Sequence, residues 1–146
     1  MNREDLKSYK YTQEWIKGRI EYIESYKSIV NRLTSTVSDM PKGSRQIQDA
    51  EAEKMAMLMD MVDKLLDKVL EEGKKQKKIL EQLDKVEQPC KIILDKVYIQ
   101  GKTLVTVASE LGYSYNRIKH LHGIALNKFD DICREDKNER FKNIYI

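Results

Sequence analysis

A run of hydrogen-bonding side chains near residue 115 is the part of this chain best suited to chemistry with another molecule. The run comprises Ser114, Tyr115, Asn116, Arg117, Lys119 and His120. Side chains of these types bind phosphate oxygens and the base edges of the major groove of double-stranded DNA. Asn116 suits adenine and Arg117 suits guanine. We therefore expect this run, together with Thr103 at the start of the preceding helix, to contact DNA.

Positive charge is concentrated in the segment that contains this run. Residues 88–128 carry six basic and two acidic residues, whereas residues 1–87 carry seventeen of each sign. Residues 129–146 carry four basic and five acidic residues, so the net charge of +3 comes from residues 88–128. A local positive excess favours a polyanionic partner such as DNA.

A glycine turn between two predicted helices would position this run of side chains at the start of the second helix. Thr103 suits the N-cap of a short helix over 104–110, and Gly112 suits the left-handed turn that ends it. Ser114 suits the cap of a longer helix over 115–131. A short helix, a tight turn and a longer helix form the helix-turn-helix plan. The predicted core of this motif consists of Val107, Ala108, Leu111, Gly112, Ile118 and Leu121.

Three other segments are predicted to be helical. Over residues 5–34 apolar residues recur every seven positions, with Ile20 widening the stripe, and over residues 47–87 they follow a three-four spacing. The run 35–44 is rich in turn-forming residues and predicts a loop between these two segments. A short apolar helix is expected from Pro89 to Ile99.

These patterns predict an all-α protein. Two amphipathic helices joined by a short polar loop favour an antiparallel, coiled-coil-like hairpin. The predicted order is a hairpin for interaction or oligomerisation over 1–87, a helix-turn-helix domain over 88–131 and a C-terminal tail over 132–146.

Partners and location follow from the same patterns. The second helix of the hairpin is longer than the first, so part of its apolar stripe is left over. That surplus must be covered by the C-terminal domain or by a second chain, and the second option would make a homo-oligomer, a dimer being favoured. No apolar stretch is long enough to span a bilayer, and the first residues lack a signal-peptide core. We therefore expect a cytoplasmic protein without a membrane partner.

The sequence predicts neither a metal site nor a catalytic site. His120 and His122 lie about 200° apart around a helix, which is poor geometry for joint metal ligation. The chain contains no glycine-rich phosphate loop, nucleophile elbow or His-Glu-x-x-His motif. Cys90 and Cys133 form no Cys-x-x-Cys pair and are expected to be reduced, partly buried apolar residues. We therefore expect a binding protein without a cofactor, not an enzyme.

The C-terminal segment also resembles a known family. Val97–Leu104, Val107–Ser114, Ile118 and Ala125–Phe129 resemble region 4 of bacterial sigma factors, which reads a promoter element. The string Ser-Asp-Met-Pro-Lys-Gly-Ser at 38–44 makes the whole chain similar to small phage and prophage proteins of Gram-positive bacteria. This resemblance implies a sigma-70 region 4-like, DNA-binding regulator of phage transcription that acts with host RNA polymerase.

The chain departs from the sigma pattern in two respects. Thr106 stands where an acidic residue is usual, and no sigma region 2 is recognisable, so the protein should not melt a promoter by itself. Two alternatives stay open. One is a phage DNA-packaging subunit like the small terminases, which a ring-shaped oligomer would favour. The other is an interaction module that binds polymerase or a sigma antagonist without DNA, which function surviving charge reversal at Arg117 and Lys119 would favour.

Overall fold

The computed structural model describes residues 1–38 and 45–144, and this part of the chain is all-α, with no strand. Its helices are α1 (Arg3–Ser38), α2 (Arg45–Asp84), α3 (Cys90–Leu94), α4 (Leu104–Leu111) and α5 (Tyr115–Ile144). A π-helical turn, Asp95–Ile99, continues α3. The predicted all-α fold class is confirmed. None of the described helices has the length and apolarity that a membrane crossing requires.

The long helices end at other residues than predicted. Helix α1 continues through 35–38, where the sequence predicted a loop, because no proline or glycine interrupts it before Pro41. The rest of that predicted loop, 39–44, lies outside the described residues. Helix α2 ends at Asp84 instead of residue 87, because the backbone N–H groups of Lys85 and Val86 donate to carbonyls three residues back, which tightens the last turn and closes the helix.

Helix α5 also includes most of the predicted C-terminal tail. It runs without a break as far as Ile144, and within it Cys133 is buried. Arg134 and Asp131 pair at 3.5 Å along its surface. Opposite charges three or four residues apart stabilise a helix, so the charged residues of the predicted tail belong here to a solvated helix face.

The described chain divides into two compact units. The terminal unit comprises Met1–Gln13 and Lys74–Ile146, and the middle unit comprises Glu14–Gly73. This division differs from the predicted boundary between residues 87 and 88. The reason is that the start of α1 and the end of α2 belong to one apolar core with α5.

Two apolar cores hold the terminal unit together. The first core joins α1, α2, α3 and α5 and consists of Leu6, Tyr9, Ile79, Leu83, Val86, Cys90, Leu94, Ala125, Leu126, Phe129 and Cys133. The second core joins α3, α4 and α5 and consists of Ile93, Val107, Ala108 and Ile118, with Val97, Leu104, Leu111, Tyr113 and Leu121 packed against it. Both cysteines are free thiols inside the first core. Burial raises the pKa of the Cys133 thiol, which keeps it protonated at neutral pH.

The middle unit buries much less of its apolar surface. Among its described side chains only Ile23 and Val62 belong to the buried hydrophobic residues. Ile20, which was predicted to widen the buried stripe, is 42% exposed. A single neighbouring helix covers only a narrow seam, and Ile20 lies beside that seam and not in it.

Candidate nucleic-acid interface

Thr103 forms the N-terminal cap of α4. Its backbone is extended, and its side-chain hydroxyl accepts a hydrogen bond from the Thr106 backbone N–H at 3.2 Å. The two threonine hydroxyls are 2.9 Å apart. Thr106 thus contacts the capping hydroxyl of Thr103 through both its backbone N–H and its own hydroxyl. Thr103 is exposed, and it lies at the opposite end of α4 from the turn that leads into α5.

The turn between α4 and α5 depends on Gly112. This residue has φ +72° and ψ +26°, the left-handed conformation that glycine adopts without steric penalty. The backbone N–H groups of Gly112 and Tyr113 both donate to the Ala108 carbonyl, which closes the end of α4. Ser114 then caps α5: its Oγ accepts a hydrogen bond from the Arg117 N–H at 3.2 Å. The turn is thus fixed by local hydrogen bonds on both sides.

The first turns of α5 present a row of exposed polar side chains. This exposed row consists of Tyr115, Asn116, Arg117, Lys119 and His120. Ile118, in the middle of the row, is completely buried in the second core. Because Ile118 fixes which side of α5 faces inward, its neighbours are held on the solvent side. Ser114 is also exposed, although its hydroxyl is already used in the cap.

The residues predicted to form the motif's core fall into three groups. Val107, Ala108 and Ile118 are buried together in the second core, and Leu111 and Leu121 are half-buried against it. Gly112 is exposed and acts through its backbone conformation, without packing. The second core thus lies directly beneath the exposed row and joins it to α3 and α4.

The Arg117 side chain of the exposed row lies over an aromatic ring. Its guanidinium carbon lies 5.2 Å from the centre of the Tyr113 ring, within the range of a cation–π interaction. Tyr113 is half-buried against the second core. Tyr113 is not among the predicted site residues, since an aromatic residue after a glycine turn gives no sign of which side chain will lie over it.

Glu110 binds two of the basic residues that made this segment positive. Its carboxylate is 2.7 Å from the Lys96 Nζ and 2.8 Å from the Lys102 Nζ. Hydrogen bonds from Lys102 and Lys96 hold the pKa of Glu110 below its usual value, so it stays ionised. The three residues come from the π-helical turn, the following loop and α4, a spacing that no sequence pattern marks.

His122 lies on α5 beyond the exposed row and has a different environment from His120. Its Nε2 is 2.7 Å from the Tyr98 hydroxyl, and both side chains are half-buried. Burial lowers the pKa of His122, and the nearby cations Lys7 and Arg3 lower it further. His120 is exposed. Within residues 1–38 and 45–144 no three potential metal-ligating side chains are grouped together.

Arg3 connects the start of α1 to α5 behind the candidate interface. Its Nε lies 2.6 Å from an Asp130 carboxylate oxygen, and its backbone N–H donates to the other oxygen at 2.8 Å. A second guanidinium nitrogen donates to the Asn127 side chain at 2.7 Å. A planar guanidinium forms such fixed, multiple hydrogen bonds more readily than an ammonium group does. These contacts fix the first turn of α1 against α5.

Comparison with known protein families, with curated proteins and with solved structures finds no match to this chain. DNA binding is therefore inferred from the geometry of the exposed row and of the residues that support it, whereas phage genes and RNA polymerase are implied by the sequence resemblance alone.

Proposed function

We propose that this protein is a sequence-specific, double-stranded DNA-binding regulator of transcription, acting on phage or prophage genes together with host RNA polymerase. In this proposal α4, the Gly112 turn and α5 form a helix-turn-helix of the sigma-region-4 type. The middle unit is the antiparallel hairpin through which the protein forms a homo-oligomer. The protein acts in the cytoplasm as a binding protein, without a cofactor or a catalytic reaction of its own.

The observation that supports this function best is the exposed row at the start of α5. Its side chains are hydrogen-bond donors, and they stand at the N-terminal end of a long helix, where the backbone N–H groups favour a phosphate. Ile118 and the Ser114 cap hold this end of the helix in place before any partner binds. A rigid support of this kind lowers the entropy cost of binding in a groove.

Within the row, Arg117 and Lys119 supply the positive charge. Arg117 is suited to bidentate hydrogen bonds with guanine, and Lys119 is suited to a phosphate. Asn116, between Tyr115 and Arg117, is suited to adenine. We expect α5 to enter the major groove with these residues toward the bases.

One observation favours a second function, that of an interaction module that binds polymerase or a sigma antagonist but not DNA. Glu110 already binds Lys96 and Lys102, so two of the six basic residues of 88–128 have a carboxylate partner within the protein. The remaining positive charge is small for a DNA-binding surface, whose affinity depends on the number of phosphates neutralised.

Fluorescence anisotropy on labelled DNA fragments tiled across the neighbouring genes tests the proposal. The wild type should bind one fragment much more tightly than the others in the presence of competitor DNA, and this affinity should fall steeply with salt. Arg117→Ala should lose about 1–3 kcal/mol of binding free energy on that fragment. Arg134→Ala is a matched control, because Arg134 is an exposed arginine near the other end of α5.

Two other outcomes would contradict the proposal and favour an alternative function. Weak and equal binding to all fragments would remove sequence specificity and favour a packaging subunit, especially if the protein forms rings. No binding to any fragment, together with capture of purified RNA polymerase by the wild type and by Arg117→Ala alike, would favour the interaction module.

A further inference from the structure

The middle unit leaves one face of α2 exposed and apolar. Met59, Leu66 and Leu70 are 53%, 40% and 55% exposed. They follow one another at helical spacings of seven and four residues, so they lie on one side of the helix. Asp63 is on the same side, between Met59 and Leu66. We call these four residues the α2 stripe. Exposed apolar side chains grouped on one side of a helix, here interrupted by a single carboxylate, are a feature of surfaces that bind another molecule.

The α2 stripe borders a groove between the two helices of the middle unit. The groove has a volume of about 270 Å³ and is lined by Lys27, Val30 and Asn31 from α1 and by Met59, Val62 and Asp63 from α2. Val62 is buried and Val30 is half-buried. The groove therefore opens onto the small apolar seam between the helices, which α1 and α2 alone do not fill.

The charges on this groove are of opposite sign and come from different helices. Lys27 lies on the α1 side and Asp63 on the α2 side. Neither side chain forms an ion pair within the described ranges. By contrast, the neighbouring Asp60 pairs with Lys64 on the outer surface of α2 at 3.0 Å. A face with one unpaired cation and one unpaired anion is complementary to itself.

We propose that a second copy of this chain covers the α2 stripe and the groove, so that two middle units form a four-helix bundle. A two-fold axis parallel to the helices would place Lys27 of each copy opposite Asp63 of the other, since both copies present the same face. Two helices alone enclose almost no core, and this accounts for the low burial around Ile23 and Val62. Four helices would surround a continuous core. A partner whose surface carried charge of only one sign would leave either Lys27 or Asp63 unpaired.

This inference rests on the homo-oligomer of the proposed function and not on its DNA binding. Sedimentation equilibrium of the full chain without DNA tests it separately. The wild type should be a dimer in the micromolar range, and Leu66→Glu should be a monomer. Met57→Glu is the matched control, because Met57 is 68% exposed on α2 but lies off the stripe. Both changes are at exposed positions, so circular dichroism should show unchanged helix content. A monomeric wild type, or a dimeric Leu66→Glu, would overturn the inference.

A charge exchange identifies the occupant of the groove. Lys27→Glu and Asp63→Lys should each weaken dimerisation by about tenfold, because each creates two like-charge contacts across the two-fold axis. The double variant restores opposite charges and should dimerise like the wild type. If the double variant is as weak as the single ones, Lys27 and Asp63 do not face each other across the two-fold axis, and the proposed arrangement is overturned.

Discussion

The Arg117 guanidinium lies over the Tyr113 ring, 5.2 Å from its centre. Tyr113 is packed against the second core, whereas Arg117 is exposed, so the ring is the fixed member of the pair. A cation that is already held in position loses less conformational entropy when it binds a base or a phosphate. If α5 binds DNA as proposed, we therefore expect Tyr113 to raise the affinity through Arg117, without a contact of its own to the partner.

Two replacements of Tyr113 should distinguish the effect of its aromatic ring on DNA affinity from the effect of its apolar bulk. Tyr113→Leu keeps an apolar group against the second core but removes the ring, and we expect DNA affinity to fall by about 0.5–1 kcal/mol, roughly two- to fivefold. Tyr113→Phe keeps the ring and should bind like the wild type. Anisotropy on the tightest fragment measures both variants. Equal affinity of the leucine variant and the wild type would mean that the ring does not position Arg117.

Removal of the Glu110 charge should strengthen binding to any DNA. In Glu110→Gln the ammonium groups of Lys96 and Lys102 are released from their carboxylate partner and become available to phosphates. The salt dependence of binding should steepen by about one to two in the slope of log K against log [salt]. Glu139→Gln changes the net charge equally at an exposed position near the end of α5 and serves as the control. The same slope in both variants would contradict this expectation.

His122 should make folding stability depend on pH. Its pKa lies below 6.5 in the folded protein, so the unfolded chain binds a proton more readily than the folded chain does. The contribution of neutral His122 to the free energy of unfolding is complete above pH 6.5 and is lost as the pH falls below it. Chemical denaturation at a series of pH values should show a smaller loss for His122→Asn than for the wild type. His120→Asn should lose as much unfolding free energy at low pH as the wild type does. If it loses as little as His122→Asn, the pH dependence is not specific to His122.

Replacing Gly112 or Gly123 by alanine should change the stability of the protein in opposite directions. Gly112 has φ +72°, where an alanine Cβ is strained, so Gly112→Ala should destabilise the protein by about 1–2 kcal/mol. Gly123 lies inside α5 with open space where an alanine Cβ would stand, so Gly123→Ala should stabilise the protein by about 0.5–1 kcal/mol. Thermal unfolding compares the two variants directly. Destabilisation by Gly123→Ala would mean that α5 needs flexibility at this point.

Local chemistry made part of the site predictable from the sequence. Thr103, Gly112 and Ser114 are the residue types that cap helices and form left-handed turns, and the structure begins α4 and α5 at the residues that follow Thr103 and Ser114. The apolar spacing around Ile118 likewise indicated which side of α5 faces inward. These features depend on residues close together in the chain, where spacing determines geometry.

The longer-range relationships could not be predicted in the same way. Glu110 contacts Lys96 and Lys102 only because the π-helical turn, the loop and α4 fold around the second core. The Arg3–Asp130 ion pair depends on how α1 packs against α5. Periodicity identifies the apolar side of each helix, but it does not identify which distant helix will cover it or in which register.

The contact between Arg3 and Asp130 affects the order in which parts of the protein fold during synthesis. Arg3 leaves the ribosome 127 residues before Asp130 does. The first turn of α1 therefore remains without its partners, and Leu6 without its complete core, until α5 has been synthesised. Contacts so distant in sequence slow folding. The terminal unit is thus completed only after α5 emerges, and a chain that stopped before α5 would expose the apolar side chains of α1 and α2 that α5 normally covers.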